Sequence, residues 1–311
     1  MPIDPQIQGM LDAMPEWPGV RHVPIELLRK SIHDSSVAIP SATDAVVAGS
    51  VDRIITGPGG TLPIRIYTPS GAGPFPVIVY MHGGGYVAGD LDTQDMIARA
   101  LCAWGEGIVV SVDYRLAPEH KFPAAVDDSF AALQWAAANA ASIGGDPERL
   151  ALAGDSAGAN MACAAALTAR DAGGPQVRAV VNIYGSCNCP GTKTPSSVEF
   201  ADGPILKSDD VDWFWEQYLA DPTQRDDQRA SPVRAKTHAG LPPHFVGTAE
   251  CDPSRDDAED FARKLIDAGV ETKLIRYPGM VHGFASWVGF LPGARQVLKD
   301  ATAFLKAYLY N

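Results

Sequence analysis

Short, continuously apolar runs recur along most of the chain and alternate with longer segments of helical periodicity. Runs that are apolar throughout, rather than alternating with polar residues, are typical of parallel strands covered on both faces. The predicted strands of this alternation are residues 77–81, 108–112, 150–153, 179–183, 245–248 and 273–277. The predicted helices are residues 93–104, 124–141, 157–171, 255–268 and 294–308. This order predicts an α/β domain built on a mostly parallel sheet.

Three parts of the chain fall outside this alternation. Two early strands, 51–56 and 62–68, flank the sequence Gly-Pro-Gly-Gly and predict a hairpin. Residues 1 to about 48 contain helical pieces at 3–14 and 24–33 before the sheet begins, and residues 187–238 interrupt it. The second segment carries an aromatic run at 213–219. Aromatic residues at helical spacing usually pack against a core, although these residues could also line a pocket.

The composition restricts the class of protein. A length of 311 residues suits one large α/β domain or two small ones, and is enough to bury a core without disulfides. The net charge of −12 argues against nucleic acid and anionic membrane surfaces as partners. The simplest explanation of this negative charge is that it keeps the protein soluble. No apolar run is long enough to span a bilayer, and no signal peptide is visible, so we expect a cytoplasmic protein.

The five cysteines do not form a recognisable disulfide or metal pattern. Cys102 and Cys163 lie in apolar helical contexts and are expected in the core. Cys187 and Cys189 lack a second pair of ligands, and the histidines show no metal-binding spacing, so we expect no metal. Cys251 neighbours a candidate catalytic aspartate and could confer sensitivity to thiol reagents. A reducing compartment fits this cysteine usage.

The pentapeptide Gly154-Asp155-Ser156-Ala157-Gly158 lies where an apolar strand gives way to a helix of small residues. A serine at such a strand–turn–helix junction is typical of a nucleophile elbow, and its flanking glycines leave room for neighbouring backbone. We therefore predict that Ser156 is a catalytic nucleophile. Asp155 is expected to be a hydrogen-bond anchor rather than a reactant.

A glycine-rich segment, His82-Gly83-Gly84-Gly85, follows the predicted strand at 77–81. Consecutive glycines after a buried strand free backbone N–H groups to face a ligand. The N–H groups of Gly84 and Gly85, with that of Ala157, are predicted to form an oxyanion hole. His82 is expected to orient this loop by hydrogen bonding. The alternative interpretation is a flexible turn without a catalytic role.

Two further candidates follow later strands, Asp252 after 245–248 and His282 after 273–277. The chain order serine, aspartate, histidine differs from that of the chymotrypsin and subtilisin types. We predict that His282 is the general base and that Asp252 orients it. Asp256 and Asp257 are alternatives to Asp252, but they are better suited to the first turn of the following helix.

These motifs together identify the chain as similar to the hormone-sensitive-lipase family, the bacterial family IV esterases. The residues that carry the resemblance are, in order, His82–Gly85, Asp113-Tyr114-Arg115-Leu116-Ala117-Pro118-Glu119, Gly154–Gly158, Asp252-Pro253 and His282-Gly283-Phe284. Ala159, Ser254 and Gly185 depart from the family's usual residues. The sequence leaves open whether Arg115 and Glu119 form a buried ion pair or a solvated one.

The resemblance implies an α/β-hydrolase fold of about eight mostly parallel strands with helices on both faces. It also implies that segments 1–48 and 187–238 pack together as a helical cap on a single domain covering residues 1–311. Family members often dimerise through the last strand, here around 273–277, so a homodimer is possible.

The expected activity is hydrolysis of short- to medium-chain acyl esters through an acyl-enzyme, with a small-molecule ester as substrate and no cofactor. The alternatives are an amidase, lactonase or carbamate hydrolase with the same triad, and a ligand-binding receptor on this fold. The receptors that resemble this family have lost the histidine, whereas His282 is present here.

Overall fold

The computed structural model describes residues 3–14 and 19–310 of the chain. The strands are β1 Gly49–Gly57, β2 Gly60–Thr68, β3 Phe75–Met81, β4 Ile108–Val112, β5 Gly145–Asp155, β6 Val177–Ile183, β7 His244–Cys251 and β8 Thr272–Val281. The α-helices are α1 Pro5–Ala13, α2 Ile25–Val37, α3 Asp95–Gly105, α4 Ala124–Asn139, α5 Ala157–Ala172, α6 Pro195–Glu199, α7 Ser208–Tyr218, α8 Arg255–Asp267 and α9 Pro292–Leu309. Short 3-10 turns occur at Val20–His22, Ala140–Ile143, Pro222–Asp226, Pro232–Arg234 and Phe284–Trp287.

The strands form one eight-stranded sheet in the order β1-β2-β4-β3-β5-β6-β7-β8. The strand β2 runs antiparallel to both of its neighbours, and all pairs from β4 to β8 are parallel. The predicted α/β-hydrolase fold with a mostly parallel sheet is therefore confirmed. Because the carboxyl ends of parallel strands lie along one edge, the loops that follow β3, β5, β7 and β8 come together there.

Helices cover both faces of the sheet at its central strands, which explains why β3, β4 and β7 are buried along almost their whole length. In β3, Val77, Val79 and Met81 pack in one buried cluster with residues of α4 and α5. The intervening residues Ile78 and Tyr80 pack in a second cluster with residues of α3 and α9. Successive side chains of a strand point to opposite faces, so each face contributes to a separate core.

The predicted elements agree in type with the observed ones, and the largest differences are in strand length. The last strand extends to Val281, whereas the prediction stopped at residue 277, just before Pro278. A proline is tolerated here because β8 is an edge strand, and the pairing with β7 shifts register between Ala249 and Cys251. The strand β5 likewise begins at Gly145 rather than at residue 150.

Arg115 and Glu119 do not pair with each other, so the predicted ion pair is wrong both as a buried pair and as a solvated one. Arg115 binds Asp128 of α4 through two hydrogen bonds of 2.8 Å, and the Asp128 side chain is 2% exposed. Glu119 instead pairs with Arg29 of α2 at 2.6 Å. The loop that carries the family motif is therefore braced by two different helices, which local spacing did not indicate.

The N-terminal segment contacts both the 187–238 segment and the glycine-rich loop. The Val20 N–H donates to Asp210 Oδ1 at 2.9 Å, and Arg21 pairs with Glu216 at 2.8 Å. Arg29 of α2 donates from Nε to the carbonyl of Val87, just beyond the glycines, at 2.8 Å. These contacts bring α2 and α7 over the carboxyl edge of the sheet.

All five cysteines are free and buried, which confirms the predicted core positions of Cys102 and Cys163. Within the residues described, no group of histidine, cysteine or acidic side chains is arranged to hold a metal ion. Among the helices of the described ranges, none has both the length and the apolar character needed to cross a membrane.

Candidate active site

The turn between β5 and α5 holds Ser156 in a backbone conformation that L-residues rarely adopt, with φ 52° and ψ −123°. The flanking glycines make this turn possible. A Cβ on Gly154 would lie 2.3 Å from the Gly158 backbone, and a Cβ on Gly158 would lie 2.0 Å from the Met81 carbonyl oxygen. The Ser156 N–H donates to the Ile183 carbonyl at 2.9 Å, which fixes the turn to β6. The strained conformation is therefore maintained by close backbone packing.

The structure brings Ser156, His282 and Asp252 into one hydrogen-bonded chain. Ser156 Oγ lies 2.8 Å from His282 Nε2, and His282 Nδ1 lies 2.7 Å from Asp252 Oδ2. The other oxygen of Asp252 accepts the N–H of Ser254 at 2.8 Å. The Asp252 side chain is 1% exposed, so its carboxylate is held by fixed donors rather than by solvent.

The neighbouring carboxylates have other partners. Asp256 pairs with Arg255 and accepts the Ser196 N–H at 2.7 Å, and Asp257 accepts a hydrogen bond from the Asn188 side chain at 2.9 Å. Both lie in the first turn of α8. Neither is therefore placed to orient the imidazole of His282.

The electrostatic surroundings of His282 favour its protonated form. Burial lowers the pKa of His282, but the charge of Asp252 and its hydrogen bond outweigh burial, so the pKa lies above the ordinary value of 6.5. A proton taken up by Nε2 is thus stabilised by the carboxylate on the opposite side of the ring. This arrangement suits a base that becomes positively charged during a reaction.

The glycine-rich loop after β3 presents free backbone donors beside Ser156. In the described part of the chain, the N–H groups of Gly84, Gly85 and Ala157 donate to no other protein atom. All three residues line the same cavity as Ser156. Gly84 has φ +127°, and a Cβ there would lie 2.0 Å from the Ala88 carbonyl oxygen, so this position requires glycine.

Asp155 ties the glycine loop to the turn at Ser156. Its Oδ1 accepts from the Tyr80 hydroxyl at 2.6 Å and from the Gly83 N–H at 2.9 Å. Burial raises the pKa of this carboxyl to about 6, although its hydrogen bonds act in the opposite direction. Asp155 therefore acts as an anchor, because its side chain joins the turn at Ser156 to β3 and to the glycine-rich loop.

His82 lies beneath the same loop and is fully buried. Its Nδ1 donates to the Gly83 carbonyl at 2.7 Å, and its ring stacks on Tyr114 with centroids 4.3 Å apart. Burial lowers the pKa of His82 to about 4, so its imidazole is neutral at pH 7. These contacts orient the loop backbone and leave His82 without access to Ser156.

A cavity of about 280 Å³ lies above Ser156, and we call it the inner cavity. Its walls are mostly apolar side chains from α2 and α7, namely Leu28, Ile32, Val211, Phe214 and Trp215. The aromatic run thus divides between two uses. Phe214 and Trp215 line the cavity, whereas Trp213 and Tyr218 are buried in packing.

Two groups of cavity residues carry no signal in the sequence. Leu28 and Ile32 lie more than 120 residues before Ser156 and carry no motif. Gln94 accepts the Ser286 hydroxyl at 3.2 Å, and both side chains line the inner cavity. Only the three-dimensional arrangement of α2, α3 and the loop after β8 brings these side chains to the site.

The chain is similar in sequence and fold to known esterases. A family model described as an alpha/beta hydrolase fold matches residues 78–286. Carboxylesterase NlhH of Mycobacterium tuberculosis is 44% identical over 253 residues, which cover 80% of this chain and 79% of that protein. Esterase LipI of the same organism is 36% identical over 313 residues, covering 99% and 96%. The structure of a hyperthermophilic esterase from the archaeon Pyrobaculum calidifontis is 37% identical, with a TM-score of 0.91 over 99% of both chains.

The close packing at Gly158 predicts a large effect of a single methyl group. We expect Gly158→Ala to destabilise the fold by about 3 kcal/mol or more, because the added Cβ meets backbone of a buried strand that cannot move aside. The control is Gly9→Ala, since a Cβ at that position of α1 meets nothing within 4 Å. Urea denaturation measures both variants, and equal midpoints would contradict the packing argument.

Proposed function

The chain belongs to the hormone-sensitive-lipase type of the α/β-hydrolase family and is a carboxylic ester hydrolase, and we propose that it acts as a serine carboxylesterase through Ser156. One observation carries the proposal: the hydrogen-bonded chain from Ser156 to Asp252 lies beside three backbone donors that have no acceptor among the described residues. A nucleophile, a base and an oxyanion site are the parts that acyl transfer requires.

In the first half of the reaction, Ser156 Oγ attacks the ester carbonyl while His282 Nε2 takes its proton. Asp252 keeps the imidazole in the tautomer that leaves Nε2 free to accept, and it stabilises the imidazolium that forms. The carbonyl oxygen becomes an anion and is held by the N–H groups of Gly84, Gly85 and Ala157. Removing one donor of this kind typically raises the barrier by about 3–4 kcal/mol.

The tetrahedral intermediate then collapses. The imidazolium of His282 gives its proton to the leaving alcohol oxygen, the C–O bond to the alcohol breaks, and the acyl group remains on Ser156. In the second half, His282 takes a proton from water, the resulting hydroxide attacks the acyl carbonyl, and Ser156 leaves with that proton. The acid is released and no cofactor is consumed.

The size of the inner cavity supports short acyl chains as substrates. A volume of about 280 Å³ lies just below the range typical of small-molecule sites, which is about 300–1,000 Å³. We further propose that residues 1–48 and 187–238 form a helical cap on the single domain. The contacts of Val20 and Arg21 with α7 support this cap, because they join the two segments, and Val20 and Asp210 both line the inner cavity.

The complete hydrogen-bonded triad favours catalysis over a receptor function. A receptor needs only a cavity, whereas the strained backbone of Ser156 and the raised pKa of His282 have no use in simple binding. Amides, lactones and carbamates need the same catalytic groups, and the described lining of the inner cavity does not select them over esters.

Substitutions in the triad test the proposal. We expect Ser156→Ala to lower kcat for p-nitrophenyl butyrate by at least about 10⁴-fold with an unchanged circular dichroism spectrum. We expect Asp252→Asn to lower kcat by about 10⁴-fold, because the wrong imidazole tautomer is stabilised. The matched control is Asp256→Asn, which should retain most activity. If Asp256→Asn abolished turnover and Asp252→Asn did not, the orienting carboxylate would be misassigned.

The raised pKa of His282 predicts the pH dependence of kcat/KM. The base must be neutral, so activity should rise with pH through a pKa above 6.5 and fall as the solution becomes more acidic. In Asp252→Asn, the charge that raises this pKa is absent. The acid limb of the pH profile of its residual activity should therefore move to lower pH.

The same experiment separates two titrating groups. Burial raises the pKa of Asp155 to about 6, and this carboxyl is retained in Asp252→Asn. An acid limb that stays at the same pH in the wild type and in Asp252→Asn would therefore contradict the assignment of that limb to His282.

A further inference from the structure

A second and larger cavity, of about 640 Å³, borders the inner one, and we call it the outer cavity. Its walls come from α7, the segment from Cys189 to Lys193, and the loop before α8. The helix α7 contributes to both cavities from adjacent faces. Phe214 belongs to the inner cavity only, Asp212 and Glu216 to the outer cavity only, and Val211 and Trp215 to both.

The outer cavity lies on the leaving-group side of the proposed reaction. It shares Ser254 with the inner cavity, and the Ser254 N–H is bonded to Asp252, the partner of His282. In the mechanism above, His282 must pass its proton to the leaving alcohol oxygen. The alcohol part of the substrate therefore lies toward the His282 and Asp252 side, where the two cavities meet.

The two cavities differ in chemistry. The inner cavity is mostly apolar, as an acyl chain requires. The outer cavity carries three cationic and three acidic side chains, together with hydroxyl groups of threonine and serine: Lys121, Lys193, Arg225, Asp212, Glu216, Asp257, Thr192, Ser197 and Ser208. Because the charges balance in number, the outer cavity favours neither an anion nor a cation as its occupant.

Several of these polar groups have hydrogen-bonding capacity to spare. Within the described residues, the side chains of Arg225, Lys193 and Asp212 line the outer cavity without a hydrogen bond or a close ion pair to the protein, although the charges of Arg21 and Lys193 act on Asp212 from a greater distance. The Nε of Arg225 is shielded from solvent and finds no acceptor in the described part of the chain, so a ligand would be met by the other nitrogens of this guanidinium. The donors and acceptors that these side chains turn toward the outer cavity are therefore available to a ligand.

From this arrangement we propose that the substrate is a short-chain acyl ester of a sugar. The inner cavity takes the acyl chain, and the outer cavity takes the sugar. A sugar offers neutral hydroxyl groups that donate to Asp212 and accept from Arg225 and Lys193, while Trp215 and Leu219 supply apolar surface for its carbon face. A volume of about 640 Å³ holds a ring of this size, whereas a small alcohol such as ethanol leaves it largely unfilled. The inference rests on the proposed esterase function.

Two esters with the same acyl group test the inference. Ethyl butyrate and methyl 6-O-butyryl-glucopyranoside both release a primary alcohol, so their kcat/KM values differ mainly through leaving-group binding. We expect the wild type to prefer the sugar ester at least about tenfold. We expect Arg225→Met to lower kcat/KM for the sugar ester about tenfold and to leave ethyl butyrate within about twofold.

The controls separate this inference from the esterase proposal. Arg263→Met removes an exposed arginine of α8 that does not line either cavity, and it should change neither substrate. Asp212→Asn provides a second probe of the outer cavity should Arg225→Met fold poorly. Methyl glucopyranoside should also inhibit the wild type competitively, and more weakly in the outer-cavity variants.

The outcomes have distinct meanings. Turnover of ethyl butyrate that requires Ser156, without a preference for the sugar ester and without an effect of Arg225→Met, would overturn the sugar assignment and leave the esterase proposal intact. Absence of any turnover that requires Ser156 would overturn both.

Discussion

The close contact between backbones at the turn after β5 is the constraint on which the rest of the site depends. Gly158 lies so near the Met81 carbonyl that no Cβ fits between them. This contact sets the exit of β3, and therefore the glycine-rich loop, directly beside Ser156. The nucleophile and the free N–H groups of Gly84 and Gly85 thus gain their relative positions from one packed region of the core. Preorganisation of this kind avoids reorganisation during reaction.

Two histidines near this turn have pKa values that are shifted in opposite directions by their surroundings. His82 and His282 are both histidines of the carboxyl edge, yet the pKa of His82 is lowered to about 4 and that of His282 is raised. The difference follows from Asp252, which contacts His282, whereas His82 meets a backbone carbonyl. One histidine thus serves as a neutral hydrogen-bonding support, and the other is suited to accept a proton.

The fold class and the arrangement at Ser156 were predictable from local pattern. Apolar runs indicated strands covered on both faces. The glycines two residues before and two residues after Ser156 indicated the tight turn that holds it. The partner of Arg115 was not predictable, because Asp128 lies on the next helix and its approach depends on how that helix packs. Leu28 and Ile32 were missed for the same reason, since no local signal marks a helix that packs over a distant loop.

The central claim is that Ser156, activated by His282, is the nucleophile. A p-nitrophenyl phosphonate, which reacts with activated serines and stops at the phosphonylated enzyme, tests it directly by mass spectrometry of proteolytic peptides. The account predicts one phosphonyl group per chain, located on Ser156, with the labelling rate falling at least about 10³-fold in His282→Gln. Labelling of another residue, or labelling of Ser156 at an unchanged rate in His282→Gln, would contradict it.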